Sequence, residues 1–442
     1  MTAPGEDSSA RPGPSGPTAH RRPRAARLAG WVLTALAAGF AVTQCAVLVR
    51  RARRGRTDFS IIYRTAEAIN DGQDGGLYGR PFDPTWPRSI PPVGTMPFQF
   101  LAGLAPGVAA IVWSVAALAV LAGGAAFVGL TVSRLGDRAG DYRAVLPWAI
   151  AVTVLLACDC LQTGQFSILF AACWLAYMAA ATRGRHVWAG LALAVPAAIK
   201  FYPAVMIAVP LAMRKGRQVV SAVAGWVVLT AVVPLCVFGP ARAWDLSAGY
   251  VRHNFLAADN AVSVRLRTAV ASNQAIDVVM LRYLTDDRQF GAEAPQVPHL
   301  AWPRDVVLAL AQIVRAGILV VAALASWRWI RTPGPDGPRT AVILTALWSA
   351  TLYLALPETK ARYAVYVAPA YLPILAAAAA AARRKCHRAL AAWIVLIVAS
   401  LAAVLYPPKI ALHFGLGLAG PIMLFAAMLV LMAGRAGPRK SE

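Results

Sequence analysis

The sequence contains little charge. Only 14% of its 442 residues are Asp, Glu, Lys or Arg, and acids (20) are outnumbered by bases (43). Hydrophobic residues make up 58% of the chain, and the mean hydropathy is +0.57. Soluble domains carry about 25% charged residues, so this composition excludes a soluble enzyme or binding module. It predicts a polytopic membrane protein.

Cysteines with zinc-type spacing are also missing. The six cysteines lie mostly in or beside apolar segments: Cys45, Cys158, Cys160, Cys173, Cys236 and Cys386. The close pair in Cys158-Asp159-Cys160 has no histidine and no second cysteine pair to complete a tetrahedral set of ligands. We therefore expect no metal site.

The basic excess, a formal net charge of +23, would indicate nucleic acid as the partner of a soluble protein. Here the bases lie mainly in short loops and tails between apolar segments, which is the pattern of the positive-inside rule. We therefore expect a lipid bilayer and no nucleic acid as a partner. A cleaved signal peptide is not expected either, because residues 28–49 are long enough to span a bilayer and have arginines on both flanks.

Hydrophobic segments of spanning length predict an all-α polytopic membrane protein with about ten transmembrane helices plus a re-entrant helical hairpin. The spans lie at about residues 28–49, 106–132, 144–160, 166–182, 218–238, 304–330, 340–356, 363–382, 388–405 and 410–433. We assign residues 1–27 to a disordered cytoplasmic tail, 28–433 to the integral membrane domain with external loops 50–105 and 239–303, and 434–442 to a second cytoplasmic tail.

The hairpin is predicted for the apolar stretch 187–213, which has basic residues on both flanks. These are Arg183 and Arg185 before it, and Arg214, Lys215 and Arg217 after it. A single crossing would place one of the two groups on the wrong side of the membrane. Pro196, Lys200 and Pro203 interrupt the stretch with missing helix donors and a charge, so we expect the chain to turn at Lys200 and return.

With the amino terminus inside, the unusual polar segments all lie on one external face. They are the Asp58 loop, residues 159–165, the Lys200 turn and residues 239–303, 358–362 and 406–409. The arginines of residues 50–54 oppose this topology, because they would be external too. The alternative explanation is that loops are polar wherever they occur.

Asp58 is the main catalytic candidate. A carboxylate at the lip of a membrane span is costly and usually serves function. As a general base it would take the proton of an acceptor hydroxyl. The alternative is a structural salt bridge with Arg54, Arg56 or Arg64.

The other candidates are binding residues. For a donor phosphate they are Lys200, Arg265, Arg282, Lys360 and Arg362, because ammonium and guanidinium groups pair with phosphate oxygens. For a sugar or an acceptor they are Tyr63, Gln165, His253, Asn273, Gln274 and Glu358, chiefly as hydrogen-bonding groups. The alternatives are a snorkelling Lys200, helix caps at Gln165 and at residues 357–363, and a solvated surface elsewhere.

Taken in order, these residues resemble the bacterial polyprenol-phosphate-mannose-dependent α-mannosyltransferases, multi-span enzymes of the type C glycosyltransferase fold. The resemblance covers about residue 30 to the end of the chain. It rests on Asp58 with residues 59–63, Tyr78, Pro91-Pro92, Gly164-Gln165, Lys200 with Pro203, Ser272-Asn273-Gln274 and Arg282.

The resemblance implies a polyprenyl-phosphate sugar donor, with mannose as the first choice, used on the external face of the bacterial plasma membrane without a cofactor. It implies inverting transfer to a hydroxyl of a cell-envelope glycolipid or glycan. Asp58 would deprotonate the acceptor, and Lys200 with loop arginines would stabilise the leaving phosphate. No protein partner is implied.

The chain departs from the family where Glu358, Lys360, Arg362 and Tyr363 stand in place of a histidine-containing Ser-Pro-type segment. This departure leaves the sugar and the acceptor open, and an arabinofuranosyl or other pentosyl donor is the alternative to mannose. A transporter or lipid flippase is the alternative of another class. The broken helix at Lys200 favours it, whereas the lack of an internal repeat opposes it.

Overall fold

A computed structural model describes residues 22–55, 57–73, 77–78, 90–135, 140–256, 273–285, 300–332, 337–356, 358–405 and 415–434. These residues are almost entirely helical and include no β-strand. A helix satisfies all of its backbone hydrogen bonds internally, which a segment inside hydrocarbon requires. The predicted all-α class is confirmed.

The first half of the chain contains α1 (Arg22–Ala52), α2 (Asp58–Asn70), α3 (Pro92–Ala102), α4 (Pro106–Arg134), α5 (Gly140–Thr163), α6 (Ser167–Ala181) and α7 (His186–Ile199). A 3-10 helix (Tyr202–Ile207) leads into α8 (Ala208–Ala212). Then α9 (Gly216–Val227) continues through a π-helical turn (Val228–Val232) into α10 (Val233–Phe238).

The second half begins with α11 (Pro240–Val251), a π-helical turn (Arg252–Leu256) and α12 (Ile276–Leu284). It continues with α13 (Arg304–Arg331), α14 (Gly337–Ala355), a 3-10 helix (Ala361–Val367), α15 (Ala368–Arg383), α16 (His387–Leu405) and α17 (Leu416–Ala433). The two predicted external loops thus contain helices: α2 and α3 in the first, and α11 and α12 in the second.

Eight helical segments of the described residues are long and apolar enough to cross a bilayer: Ala25–Ala52, Pro106–Arg134, Tyr142–Thr163, Gly216–Phe238, Arg304–Arg331, Ala361–Arg383, His387–Leu405 and Leu416–Ala433. The shorter apolar α6 and the buried α14 complete the ten predicted spans. Their bounds lie within a few residues of those expected from hydropathy. The protein is a multi-pass membrane protein.

The core and the lipid-facing surface differ in the usual way of a helical bundle. The helices α5, α14 and α15 are central, with most of their side chains buried. Peripheral helices expose large apolar side chains, such as Leu36 on α1, Val115 on α4 and Val395 on α16. An apolar surface of this extent fits hydrocarbon rather than water.

The hairpin is confirmed by the directions of α7 and α9. His186 Nδ1 and Gln218 Nε2, at the beginnings of the two helices, lie 3.1 Å apart. Further along, a Cβ on Gly225 would lie 2.9 Å from the Cβ of Ala194. The two helices therefore run parallel, so residues 202–212 must return the chain from the end of α7 to its beginning. Lys200 lies at the turn, and both basic flanks lie at the opposite end.

The two helices of the first loop pack together at the Lys200 end of the bundle. Phe59 of α2 and Phe98 of α3 are fully buried, with ring centroids 5.7 Å apart. The hydroxyl of Tyr63 donates a 2.6 Å hydrogen bond to the carbonyl oxygen of Leu104, just before α4. This packing fixes the first turn of α2, which carries Asp58.

Candidate active site

Asp58 occupies the first turn of α2, behind a regular N-cap. The Thr57 side chain accepts a hydrogen bond of 3.1 Å from the Ser60 N–H. The positive end of the helix dipole favours an anion at this position. The Asp58 side chain is 16% exposed, so it is shielded but still reachable from solvent.

Two cationic or amide donors converge on one oxygen of Asp58. Gln165 Nε2 donates to Oδ2 at 2.8 Å, and Arg362 Nη1 pairs with the same Oδ2. No hydrogen bond from any described side chain reaches the other oxygen, Oδ1. Among the described residues, hydrogen bonds therefore hold only one of the two oxygens of this partly exposed carboxylate.

The Gln165 amide reaches Asp58 because the turn between α5 and α6 is tight. Gly164 has φ +72°, and a Cβ there would lie 2.5 Å from the Cβ of Phe59. Only glycine fits both the left-handed backbone and this close approach. The turn predicted from the sequence thus packs directly on the first turn of α2.

Arg362 lies in the first turn of the 3-10 helix that precedes α15. Its carbonyl oxygen accepts a hydrogen bond from the thiol of Cys160, which ties the turn to α5. Asp159, one residue earlier on α5, interacts electrostatically with Arg362, Asp58 and Arg51. Asp159 is thus a second carboxylate in the site. Asp159 is not among the residues predicted from the sequence, although a carboxylate at the end of an apolar span is a usable signal.

Lys200 is joined to the same cluster by aromatic side chains. Its ammonium lies 5.2 Å from the ring centroid of Tyr363 and 5.7 Å from that of Tyr202. These are cation–π distances.

A chain of hydroxyl groups runs from Tyr202, beside Lys200, to Gln165, which is hydrogen-bonded to Asp58. The hydroxyl groups of Tyr202 and Tyr366 lie 3.0 Å apart. Ser167 Oγ donates to the Tyr366 hydroxyl at 3.2 Å and approaches Gln165 Oε1 at 3.4 Å. The structure therefore brings Asp58, Gln165, Lys200 and Arg362 together, although they are far apart in sequence.

Asn273 and Gln274, both predicted site residues, hold the segment before Arg362 in place by hydrogen bonds. Asn273 Oδ1 accepts hydrogen bonds from the N–H groups of Ala275 at 3.1 Å and Thr359 at 3.0 Å. The Gln274 N–H donates to the carbonyl oxygen of Thr359 at 2.6 Å. Asn273 and Gln274 are both buried, so in this structure they support the connection.

Three predicted phosphate or acceptor residues lie around the same connection. Glu358 and Lys360 form an ion pair of 2.5 Å. Arg282 is 5% exposed and donates from Nη2 to the carbonyl oxygen of Asn273 at 2.6 Å. Burial lowers the pKa of the Arg282 guanidinium to about 10. Glu358 and Lys360 thus lie in the segment that leads to Arg362, and Arg282 is bonded to Asn273, which supports that segment.

The remaining predicted residues are not joined to the cluster by any contact of the described residues. Tyr63 is buried against Leu104, on the side of α2 that packs on α3 and α4. Burial, followed by the charge of Glu67, raises the pKa of its phenol. His253 lies half-buried on the π-helical turn after α11. Arg265 lies outside the described residues.

The site combines a carboxylate with one hydrogen-bonded oxygen, the guanidinium of Arg362 and a lysine at the break of a helix. A carboxylate with one open oxygen can accept a proton, and the cations can stabilise an anionic group that leaves. The arrangement therefore suits a reaction in which a group is transferred to a hydroxyl from a donor molecule whose leaving group is an anion.

Comparison with known proteins agrees with this chemistry. The profile of glycosyltransferase family 87 matches residues 91–357, which is more than half of the chain. The match includes Gln165 and Lys200, and it begins after Asp58 and ends before Arg362. No curated protein and no solved structure matches the chain. With its multi-pass helical fold and this match, the chain belongs to glycosyltransferase family 87 and is a membrane glycosyltransferase.

Proposed function

We propose that this glycosyltransferase moves a sugar, mannose in the first instance, from a polyprenyl-phosphate donor to a hydroxyl of a cell-envelope glycolipid or glycan, with inversion and with Asp58 as general base. The observation that carries the proposal is the asymmetry of the Asp58 carboxylate. Its Oδ2 is fixed by Gln165 and Arg362, whereas Oδ1 has no donor among the described residues.

In the proposed reaction, Asp58 Oδ1 accepts the proton of the acceptor hydroxyl as its oxygen attacks the anomeric carbon. The bond between that carbon and the phosphate oxygen breaks, and the phosphate leaves with the electron pair. Attack opposite the leaving group inverts the anomeric configuration. Positioning and electrostatic stabilisation supply most of such an acceleration.

Arg362 links the two charge changes of this reaction. Before the reaction its guanidinium is paired with the Asp58 carboxylate. When Asp58 becomes protonated, that pairing weakens, because the carboxyl group is then neutral. The positive charge of Arg362 is then available to the phosphate at the moment the phosphate becomes more negative. Lys200, across the ring of Tyr363, is the second cation for that phosphate.

A lipid-linked donor is supported by an apolar recess beside Lys200. The recess has a volume of about 190 Å³ and lies between α7, the returning half of the hairpin and α9. Its lining includes Leu193, Phe201, Ile207 and Trp226. Phe201, the residue after Lys200, is 66% exposed. A phosphate at Lys200 would place the first part of a polyprenyl chain against this apolar surface.

The proposed membrane is the bacterial plasma membrane, as the family resemblance implies, and the charge distribution supports an active site on its external face. The basic connections before and after the hairpin, after α13 and after α15 all lie at the end opposite Asp58. The positive-inside rule assigns that end to the cytoplasm. The arginines of residues 50–54 lie at the Asp58 end, where Arg51 interacts electrostatically with Asp159.

The test is sugar transfer in membranes that contain the wild-type protein or Asp58→Asn. Labelled polyprenyl-phosphate mannose and polyprenyl-phosphate arabinofuranose are supplied separately. Asp71→Asn is the matched control, because Asp71 is an exposed carboxylate at the other end of α2. We expect mannose transfer by the wild type and the control, and a loss of about 10²- to 10⁴-fold with Asp58→Asn, as removal of a general base predicts.

Each other outcome has a definite meaning. Full transfer by Asp58→Asn would contradict the base assignment. Transfer of arabinofuranose alone would replace mannose by the pentosyl alternative. Failure of the wild type with both donors, in membranes that contain the natural acceptor, would contradict a polyprenyl-phosphate donor of either kind.

A further inference from the structure

A second cavity lies on the lipid-facing side of the bundle, away from Asp58. It is a groove of about 650 Å³ between α4, α6 and α7. Its walls are almost wholly apolar and include Phe127, Leu169, Cys173, Ala176 and Val195. This volume falls within the range of about 300–1,000 Å³ that is usual for small-molecule sites.

The length of the groove matches one leaflet of a bilayer. It follows α6 from Leu169 to Ala180, which is about 16 Å at the helical rise of about 1.5 Å per residue. The hydrocarbon core of a bilayer is about 30 Å thick, so the groove covers about half of it. It ends at Arg183, Arg185 and Trp188, on the side of the membrane opposite Asp58.

The end of the groove carries a concentration of positive charge. Arg183 is held at the rim, donating from Nη1 to the carbonyl oxygen of Ala179 and from Nη2 to Ser133 Oγ, both at 3.1 Å. Burial, followed by the charges of Arg134 and Arg185, lowers the pKa of Arg183. None of these three arginines forms an ion pair within the described part of the chain. A cluster of like charges with no acidic partner among the described residues is complementary to an anionic group.

Trp188 marks the depth of this rim in the membrane. It lines the groove next to Arg185 and is 67% exposed. Tryptophan is enriched at the level of lipid head groups, where its ring is apolar and its N–H is hydrated. The arginines beside it are therefore at the height of a phospholipid phosphate.

We propose that this groove is a binding site for an anionic phospholipid of the leaflet opposite the active site, with one acyl chain along α6 and the phosphate at Arg183 and Arg185. Basic pockets between transmembrane helices on the cytoplasmic side bind anionic head groups by the same physics. The site is separate from the proposed donor recess, which lies on the α9 side of α7. A lipid bound here would brace α4 and α6 against α7, which carries Lys200 at its far end.

The experiment measures lipid retention, which is independent of enzyme activity. Purified wild-type protein in detergent is mixed with equal amounts of phosphatidylglycerol and phosphatidylcholine that have the same acyl chains. Bound lipids are counted by native mass spectrometry. The test variants are Arg183→Gln/Arg185→Gln, which removes charge at the rim, and Ala176→Phe, which fills the groove. Arg384→Gln/Arg388→Gln is the control, because both residues are exposed bases at the same end of the bundle.

We expect the wild type and the control to retain phosphatidylglycerol preferentially. Removing both rim arginines should weaken retention of phosphatidylglycerol by about 30-fold and abolish the preference. Ala176→Phe should reduce retention of both lipids.

Three results of the retention measurements would overturn the proposal, and a competition arm gives a fourth. They are equal retention of the two lipids by the wild type, unchanged retention after removal of the rim arginines, and unchanged retention in Ala176→Phe. In a competition arm, displacement of the bound lipid by polyprenyl phosphate more readily than by phosphatidylglycerol would show that the groove holds a donor tail instead.

Discussion

The hydrogen bond from Gln165 to Asp58 provides a quantitative test of the site. In Gln165→Met the side chain keeps its length and loses its donor to Oδ2, at present 2.8 Å away. A hydrogen bond to a charged group contributes about 1.5–3 kcal/mol. If that free energy serves to orient the base in the transition state, transfer should slow by about 10- to 150-fold.

The assay is single-turnover transfer of labelled sugar at saturating donor, with Gln165→Met, Asp58→Asn and the double variant. Because Gln165 is proposed to act through Asp58, its substitution should have little further effect when Asp58 is already Asn. Residues that act as one unit are strongly non-additive in this way. Gln218→Met is the control, since Gln218 is a buried, hydrogen-bonded glutamine at the opposite end of the bundle.

Two results would refute this reasoning. One is a Gln165→Met enzyme as fast as the wild type, which would mean that the hydrogen bond does not orient the base. The other is a rate loss of the same factor in both Asp58 backgrounds, which would show that Gln165 acts on the substrate directly rather than through Asp58.

Two further predictions concern the turn at Gly164 and the charge at Lys200. Gly164→Ala should lower the free energy of unfolding by about 1–3 kcal/mol and also lower transfer activity, because the new Cβ would meet Phe59 and displace Gln165. Gly184→Ala is the matched control, since Gly184 has the same left-handed backbone with nothing within 4 Å of a Cβ. An equal loss of activity in Gly184→Ala would contradict the explanation. Lys200→Gln should raise the KM for the lipid donor or lower kcat by about 10- to 100-fold, with partial recovery in Lys200→Arg, as expected for a charged hydrogen bond to phosphate. Kinetics of Lys200→Gln equal to those of the wild type would contradict a role of Lys200 in phosphate binding. Lys215→Gln, at the other end of the hairpin, is the control and should change neither constant.

Much of the fold was predictable because the bilayer imposes its own constraints on the sequence. A span needs a fixed length of apolar residues, so the ten segments could be located from hydropathy alone. The hairpin was predictable because a charge and two prolines at residues 196–203 conflict with a continuous helix, and because both flanks are basic.

The site was only partly predictable. Asp58, Gln165 and Lys200 stood out because polar side chains at the ends of spans are costly. Their mutual contacts could not be predicted, since Asp58 meets Gln165 across 107 residues and Arg362 across 304. Only the packing of α2 on the α5–α6 turn and on the segment before α15 creates those distances.

The burial of Asn273 and Gln274 was also hidden from the sequence. A pair of amide side chains in a long polar loop indicates exposed groups that hydrogen-bond the hydroxyl groups of a sugar. In the fold, Asn273 Oδ1 and the Gln274 N–H are hydrogen-bonded to backbone groups of Ala275 and Thr359, and no sequence pattern predicts these partners. Their proposed contact with a sugar stays a prediction.

Because the chain returns at Lys200, the hairpin is independent of the membrane topology of the helices that follow it. Since residues 187–213 enter and leave at the same end of the bundle, they do not alter the orientation of any helix that follows. Other hairpin-forming sequences could replace this segment without inverting α9 to α17 in the membrane. Lys200 lies in that segment, and so do most residues of the apolar recess proposed for the donor. Under the proposed function, selection for a different lipid carrier could therefore act on it while leaving the proposed base on α2 and the remaining helices unchanged.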